Sequence, residues 1–327
     1  MRKDVQTYRR MIGRATIGMG AVLMAGCITI NLPPGPGPLV EKRITGSGTA
    51  KVLMLDLSGV ISDTEESGFY PGPSQVARFK EALTKAAADE DVAALVIRIN
   101  SPGGTVTASD MIYHELRVFK EQRKIPIVAS IMDVGASGGY YVAAAADRIM
   151  AHPSSVTGSV GVIMLTVNAH GLLEKIGLQT TAVTSGPKKD MGSPFRPMTD
   201  EERTIFQGVI NSFYERFLIV VKDGRPNLTA EKVRKLADGR IYAADQAKTV
   251  GLVDEIGYLD DAIELAKREA HLTEARVVVY QKPGEYHNNV YSKLFGGGES
   301  GWEALSRFDL MTLVRGGTPQ FMYLWSP

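Results

Sequence analysis

The stretch Gly135-Ala136-Ser137-Gly138-Gly139-Tyr140-Tyr141 joins a strand-like run, Ile125–Met132, to a helix-like one, Tyr140–Ala146. A serine at such a sharp turn is expected to have an exposed hydroxyl and a free amide of its own. The glycines around it let a substrate backbone come close. Those are the needs of acyl-transfer chemistry. An ordinary Gly/Ser turn ahead of a helix would carry the same residues, so the neighbouring segments decide.

Working outward, Lys51–Leu57 reads as an apolar strand and Ser74–Ala88 as a helix through Val76, Phe79 and Leu83. Val92–Ile99 is a second buried strand, ending in Asn100-Ser101-Pro102-Gly103-Gly104, and a helix is expected over Ser109–Gln122. Short strands are expected at Arg148–Ala151, Val160–Leu165 and Gln179–Thr184. Strands alternating with helices predict an α/β fold with largely buried sheets. Thr199-Asp200-Glu201-Glu202 is a capping box, with Ile205, Val209, Phe213 and Phe217 along one face of the helix behind it. Leu228 and Val233 bracket Thr229 as a hydrophobic staple. Leu259, Ala262, Ile263 and Ala266 form another apolar stripe, with Asp260 and Asp261 suited to that helix's N-terminal dipole.

Beyond Leu272 the pattern loosens. Val277–Tyr280 reads as one more strand, and Trp302, Leu305, Phe308, Met311 and Val314 give an amphipathic helix between glycine breaks. The apolar end Phe321-Met322-Tyr323-Leu324-Trp325 is expected to pack in a core or against another subunit. A membrane or substrate-mimicking role is the alternative.

The chain has 327 residues, 44% hydrophobic and 22% charged, with a formal net charge of +1, so no nucleic-acid partner is expected. Arg2, Lys3, Arg9, Arg10 and Arg14 precede the apolar run Ala15–Met24. Leu23-Met24-Ala25-Gly26-Cys27 then resembles a bacterial lipobox, and Cys27 is the only cysteine. Residues 1–27 are therefore expected to be a lipoprotein-type signal ending at a lipidated Cys27. That places the body outside the cytoplasm, in the bacterial cell envelope, tethered to a membrane. An uncleaved anchor is the alternative, although the apolar run is shorter than the roughly 20 residues a spanning helix wants. Residues 28–49, with Pro33-Pro34-Gly35-Pro36-Gly37-Pro38, read as a tether, 50–272 as the catalytic domain and 273–327 as a C-terminal extension. A single cysteine excludes an intrachain disulfide.

A serine hydroxyl needs a base before it attacks. His114 and His271 fall in helical patterns, His287 in the irregular tail, and His152 and His170 end strand-like runs without an evident acidic orienter. The other candidate is a lysine in Ser185-Gly186-Pro187-Lys188-Lys189-Asp190. A lysine base works only when neutral, which requires a pKa brought from about 10.4 toward 7–8 by burial or a nearby cation.

Taken in order, four segments resemble the signal peptide peptidase SppA family, serine–lysine peptidases of the ClpP/crotonase fold, in its short single-copy form. They are Asn100–Gly104, Ala136–Tyr141, Thr157-Gly158-Ser159-Val160-Gly161-Val162, and Lys189 before Asp190. The resemblance runs from about Lys51 to Leu272 and includes Pro194-Phe195 and Gly251-Leu252-Val253-Asp254-Glu255-Ile256-Gly257. Pro187 stands where the family's lysine motif usually has a tyrosine. The resemblance implies one catalytic domain, a superhelix of repeated ββα units with packed helices. It implies Ser137 as nucleophile, Lys189 as general base and Ser159 as the residue orienting the amine. Gly103 or Gly104, with Gly138, would supply oxyanion-hole amides, each worth about 3–4 kcal/mol. It further implies no metal or cofactor, a ring- or dome-like homo-oligomer whose neighbours complete the site, and short, apolar, unfolded peptide substrates.

Three rivals stand beside it. Gly135-x-Ser137-x-Gly139 satisfies the nucleophile-elbow pattern of anchored esterases, with Asp254 and His271 as the remaining triad. A catalytically silent envelope scaffold and a crotonase-type acyl-CoA enzyme are the others.

Overall fold

The computed structural model describes residues 37–65, 72–282, 289–291 and 320–325. The chain divides between Gly37 and Pro38 into two units, and every element below belongs to the second. In chain order these are β1 (Val40–Gly46), β2 (Lys51–Ser58), α1 (Gln75–Ala87), β3 (Val92–Ser101), β4 (Gly103–Thr105), α2 (Val106–Arg123) and β5 (Ile127–Ala136). There follow α3 (Gly138–Ala143), β6 (Arg148–Ala151), β7 (Val156–Gly158), β8 (Ile163–Leu165), α4 (His170–Lys175), α5 (Asp200–Gly224) and α6 (Ala230–Leu236). The last are β9 (Ile241–Ala243), α7 (Ala244–Val250), β10 (Glu255–Ile256), α8 (Leu259–Glu269), β11 (Arg276–Gln281) and β12 (Gln320–Leu324).

The main sheet runs β1-β11-β2-β3-β5-β6-β10, parallel from β11 to β10, with β1 antiparallel at the edge. Its central strands are apolar throughout because both faces are covered. Leu53, Leu55 and Leu57 of β2, with Leu95, Ile97 and Ile99 of β3, enter the core beneath α1 and α2. Val52, Met54, Ala94 and Val96 alternate to the other face, against Leu259, Ala262, Ile263 and Ala266 of α8. Asp56 and Arg98 face one another in register and pair as ions, with Arg98 also donating to the Val290 carbonyl.

The capping expectations hold. Ser74, Thr199 and Thr229 each cap a helix by accepting a backbone N–H, and the Thr199–Glu202 box is reciprocal. Three expectations do not. Order begins at β1, inside the stretch 28–49 read as a tether, and β11 brings part of 273–327 into the sheet. Both strands cover the edge of β2, which would otherwise expose unpaired amides and carbonyls. Polar VEKRITG gave no buried-strand signal because it pairs on one side only. Gln179–Thr184 forms no strand, and Val183 is 97% exposed. Apolar alternation does not make a strand without a ladder partner. Cys27 and the expected helix through Trp302 and Val314 lie outside the described residues. Among the described residues no helix is long and apolar enough to cross a membrane.

Candidate active site

Ser137 sits between β5 and α3 with φ 50° and ψ −114°. A non-glycine residue there costs on the order of 1–3 kcal/mol and persists only where surrounding structure imposes it. The glycines beside it show what imposes it. A Cβ on Gly135 would lie 2.7 Å from the Ile131 side chain, and one on Gly139 would lie 2.7 Å from the Ser101 carbonyl. The turn is thus pressed into β3 and its own strand at distances only glycine permits. The expected free amide is corrected: Ser137 N–H donates to the Gly158 carbonyl at 2.8 Å. The expected exposure is corrected too, since Ser137 is only 1% exposed. Parallel pairing of β5 with β7 consumes the amide, and neighbouring chain covers the side chain.

Ser101–Thr105 shows which glycine can donate. Gly103 N–H goes to the Ser101 hydroxyl at 3.1 Å, its carbonyl accepts from Ile61, and Thr105 N–H donates to the Ile61 carbonyl. Successive backbone groups in a strand point to opposite edges, so the Gly104 N–H faces away from Ile61. The Gly138 Cα lies close to it, with an ideal Cβ on Gly138 only 3.1 Å from the Gly104 nitrogen. Gly104 and Gly138 are therefore the amide pair beside the serine. Gly103, with φ 103°, supplies the turn and not a donor. Sequence left these two adjacent glycines undivided, because only the Ile61 bridge separates their roles.

Ser159 arrives by register. Ala136 pairs with Gly158, so Ser137 and Ser159 are each the next residue beyond the same pair. Ser159 has φ 49°, is buried, and donates its N–H to the Arg240 carbonyl at 2.8 Å.

Lys189 is placed differently. It lies exposed in an irregular turn, its N–H donating to the Gly186 carbonyl at 3.1 Å. The single chain shows no hydrogen bond from its amine to Ser137 or Ser159. The turn itself is well held. Lys188 pairs with Glu201, and Asp190 with Arg196, which also pairs with Glu202 at the start of α5. The Arg196 guanidinium lowers the Asp190 carboxyl and takes Glu202 down to about 2, while Arg196 itself is raised. Arg196 was not singled out from sequence; its place between two acids was the available signal.

The rival triad is not assembled. Asp254 accepts from Ile149 N–H at 2.7 Å and from Arg225 at 2.6 Å. His271 is exposed just beyond α8 with φ 56° and makes no hydrogen bond to Asp254 or Ser137. No cluster of three or more potential metal ligands occurs among the described residues.

The sequence matches the profile of Peptidase family S49 over residues 119–273 and that of Clp protease over 75–158. An Enterococcus faecium protein provisionally named as a signal peptide peptidase SppA is 40% identical over 249 residues, 76% of this chain and 72% of its own length. Protease 4 of Salmonella typhi is 34% identical over 235 residues, 72% of this chain and 37% of its own. The chloroplastic serine protease SPPA of Arabidopsis thaliana is 32% identical over 231 residues, 70% of this chain and 34% of its own.

Proposed function

The chain belongs to the signal peptide peptidase SppA family, peptidase family S49, and from that membership we propose a serine endopeptidase working through Ser137 and Lys189. The observation that carries the reading is Ser137, held in a strained turn beside the amides of Gly104 and Gly138. The hydroxyl attacks a peptide carbonyl while the Lys189 amine takes its proton. The two amides hold the resulting oxyanion, and the lysine then protonates the leaving amine.

The lysine acts on a neighbouring subunit's serine. Supporting this are the exposure of Lys189 on a turn fixed by ion pairs and the apolar side chains exposed nearby, including Leu172, Ile176, Leu178 and Phe195. A second copy of the chain would cover them. Substrates are short, apolar, unfolded peptides such as cleaved signal peptides, bound as an added strand. A lipid on Cys27 holds the enzyme at a membrane of the envelope.

Mixing Ser137→Ala and Lys189→Ala proteins, each inactive alone, tests this. Subunit exchange restores a fraction of wild-type peptide hydrolysis if the pair forms between subunits. A mixture as inactive as its components, with subunit exchange verified, would exclude the shared site.

A further inference from the structure

β12 lies where a bound peptide would lie. It pairs antiparallel with β4 on one side and β8 on the other, setting Tyr323 opposite Gly104 and Met322 opposite Thr105 and Ile163. Trp325 N–H donates to the Pro102 carbonyl at 2.9 Å, which makes Trp325–Pro102 a hydrogen-bonded pair. Pairs alternate along an antiparallel ladder, so Tyr323–Gly104, two residues on, is also hydrogen-bonded. The Tyr323 carbonyl therefore faces the Gly104 amide. An ideal Cβ on Gly103 would lie 1.9 Å from that carbonyl oxygen and 2.6 Å from the Gly138 nitrogen. The carbonyl thus sits beside both amides assigned to the oxyanion. In a bound substrate, the residue whose carbonyl takes that place is the one before the cleaved bond.

The Tyr323 side chain then marks what that position selects. Its ring is fully buried, stacked on Tyr141 at 4.9 Å and 22°, and tilted against Phe217 at 4.7 Å. The hydroxyl at its tip donates to the Phe213 carbonyl at 2.9 Å. Tyr141 is fixed by Tyr113 at its edge and by its own hydroxyl on Asp110. The pocket is flat-walled, aromatic and deep, with one acceptor at its end.

We infer that residues 320–325 occupy the peptide-binding strand, and that the pocket holding Tyr323 is the primary specificity pocket, selecting tyrosine before the cleaved bond. This rests on the serine peptidase reading and adds a substrate class to it. A pocket with a fixed acceptor favours tyrosine over phenylalanine because phenylalanine leaves the Phe213 carbonyl without its donor. Aliphatic side chains leave the aromatic walls unfilled.

The test uses the full chain and peptides containing Phe-Met-Xaa-Leu-Trp, with tyrosine, phenylalanine, leucine or alanine at Xaa, and unfolded casein alongside. The expected order of kcat/KM has tyrosine about tenfold above phenylalanine and about a hundredfold above alanine, with cleavage after Xaa. Full-chain Tyr323→Ala and Tyr323→Phe should both lower KM for the tyrosine peptide, because a weaker tail competes less. Leucine or alanine peptides cut as well as tyrosine, with casein digested, would overturn the tyrosine pocket and leave the peptidase reading standing. An unchanged KM in a folded Tyr323→Phe protein would also remove β12 from the substrate's place. Failure to cut any peptide or casein would bring down both readings.

Discussion

Ser137 and Ser159 leave the sheet side by side, one residue beyond the Ala136–Gly158 pair, both at left-handed φ, 50° and 49°. Two strained serines on adjacent strand ends mark where the fold gives up local stability. Glycine accepts this backbone freely. Ser137→Gly should therefore abolish peptide hydrolysis yet be more stable than Ser137→Ala by about 1 kcal/mol. Urea unfolding of the two proteins checks it, and equal midpoints would mean that the turn relaxes in solution.

Gly104 has no room for a side chain, since a Cβ would lie 1.9 Å from the Ile61 carbonyl oxygen. Gly104→Ala should push β4 away from Ile61, destabilise the protein by about 1–3 kcal/mol and lower kcat at least a hundredfold. Gly138→Ala should also inactivate, because its Cβ would meet the Ser109 hydroxyl oxygen at 2.5 Å. Adding Ser109→Ala should restore part of that activity, measured as kcat on a tyrosine peptide.

The Lys189 turn should respond to acid through its neighbours. Arg196 holds the Glu202 carboxyl at about 2, below its ordinary value of 4.5, and also lowers Asp190. A carboxylate with a lowered folded pKa stabilises the fold above its unfolded pKa, and loses that contribution as pH falls through the folded one. The stability difference between wild type and Glu202→Gln should be full at pH 6 and shrink between about pH 4.5 and 2. Denaturation at a series of pH values reads it directly. A difference independent of pH would show that the ion pair contributes nothing.

Asp254 and His271 should behave as structural residues. Arg225 is 4% exposed and pairs with Asp254, so Asp254→Ala leaves a buried guanidinium unpaired. A loss of about 3–5 kcal/mol is expected. His271→Ala should keep full turnover, and His271→Gly should be slightly more stable because φ is 56°. Loss of activity in folded His271→Ala would reinstate the esterase triad.

Much of this was legible in the chain. Helix starts at Ser74, Thr199 and Thr229 follow from a side-chain oxygen and a backbone N–H three residues apart. Buried parallel strands follow from KVLMLDL and VAALVIRI, and the nucleophile turn from glycines around Ser137. These are interactions among near neighbours, so local order records them. Which strands pair is settled instead by contacts between distant segments, and a short polar strand such as Val40–Gly46 carries no local sign of its partner. The choice of Gly104 over Gly103 depended on Ile61, more than forty residues earlier. The seating of Tyr323 against Gly104, Tyr141 and Phe217 joins four separate elements. Only the folded chain brings them within hydrogen-bonding and stacking distance.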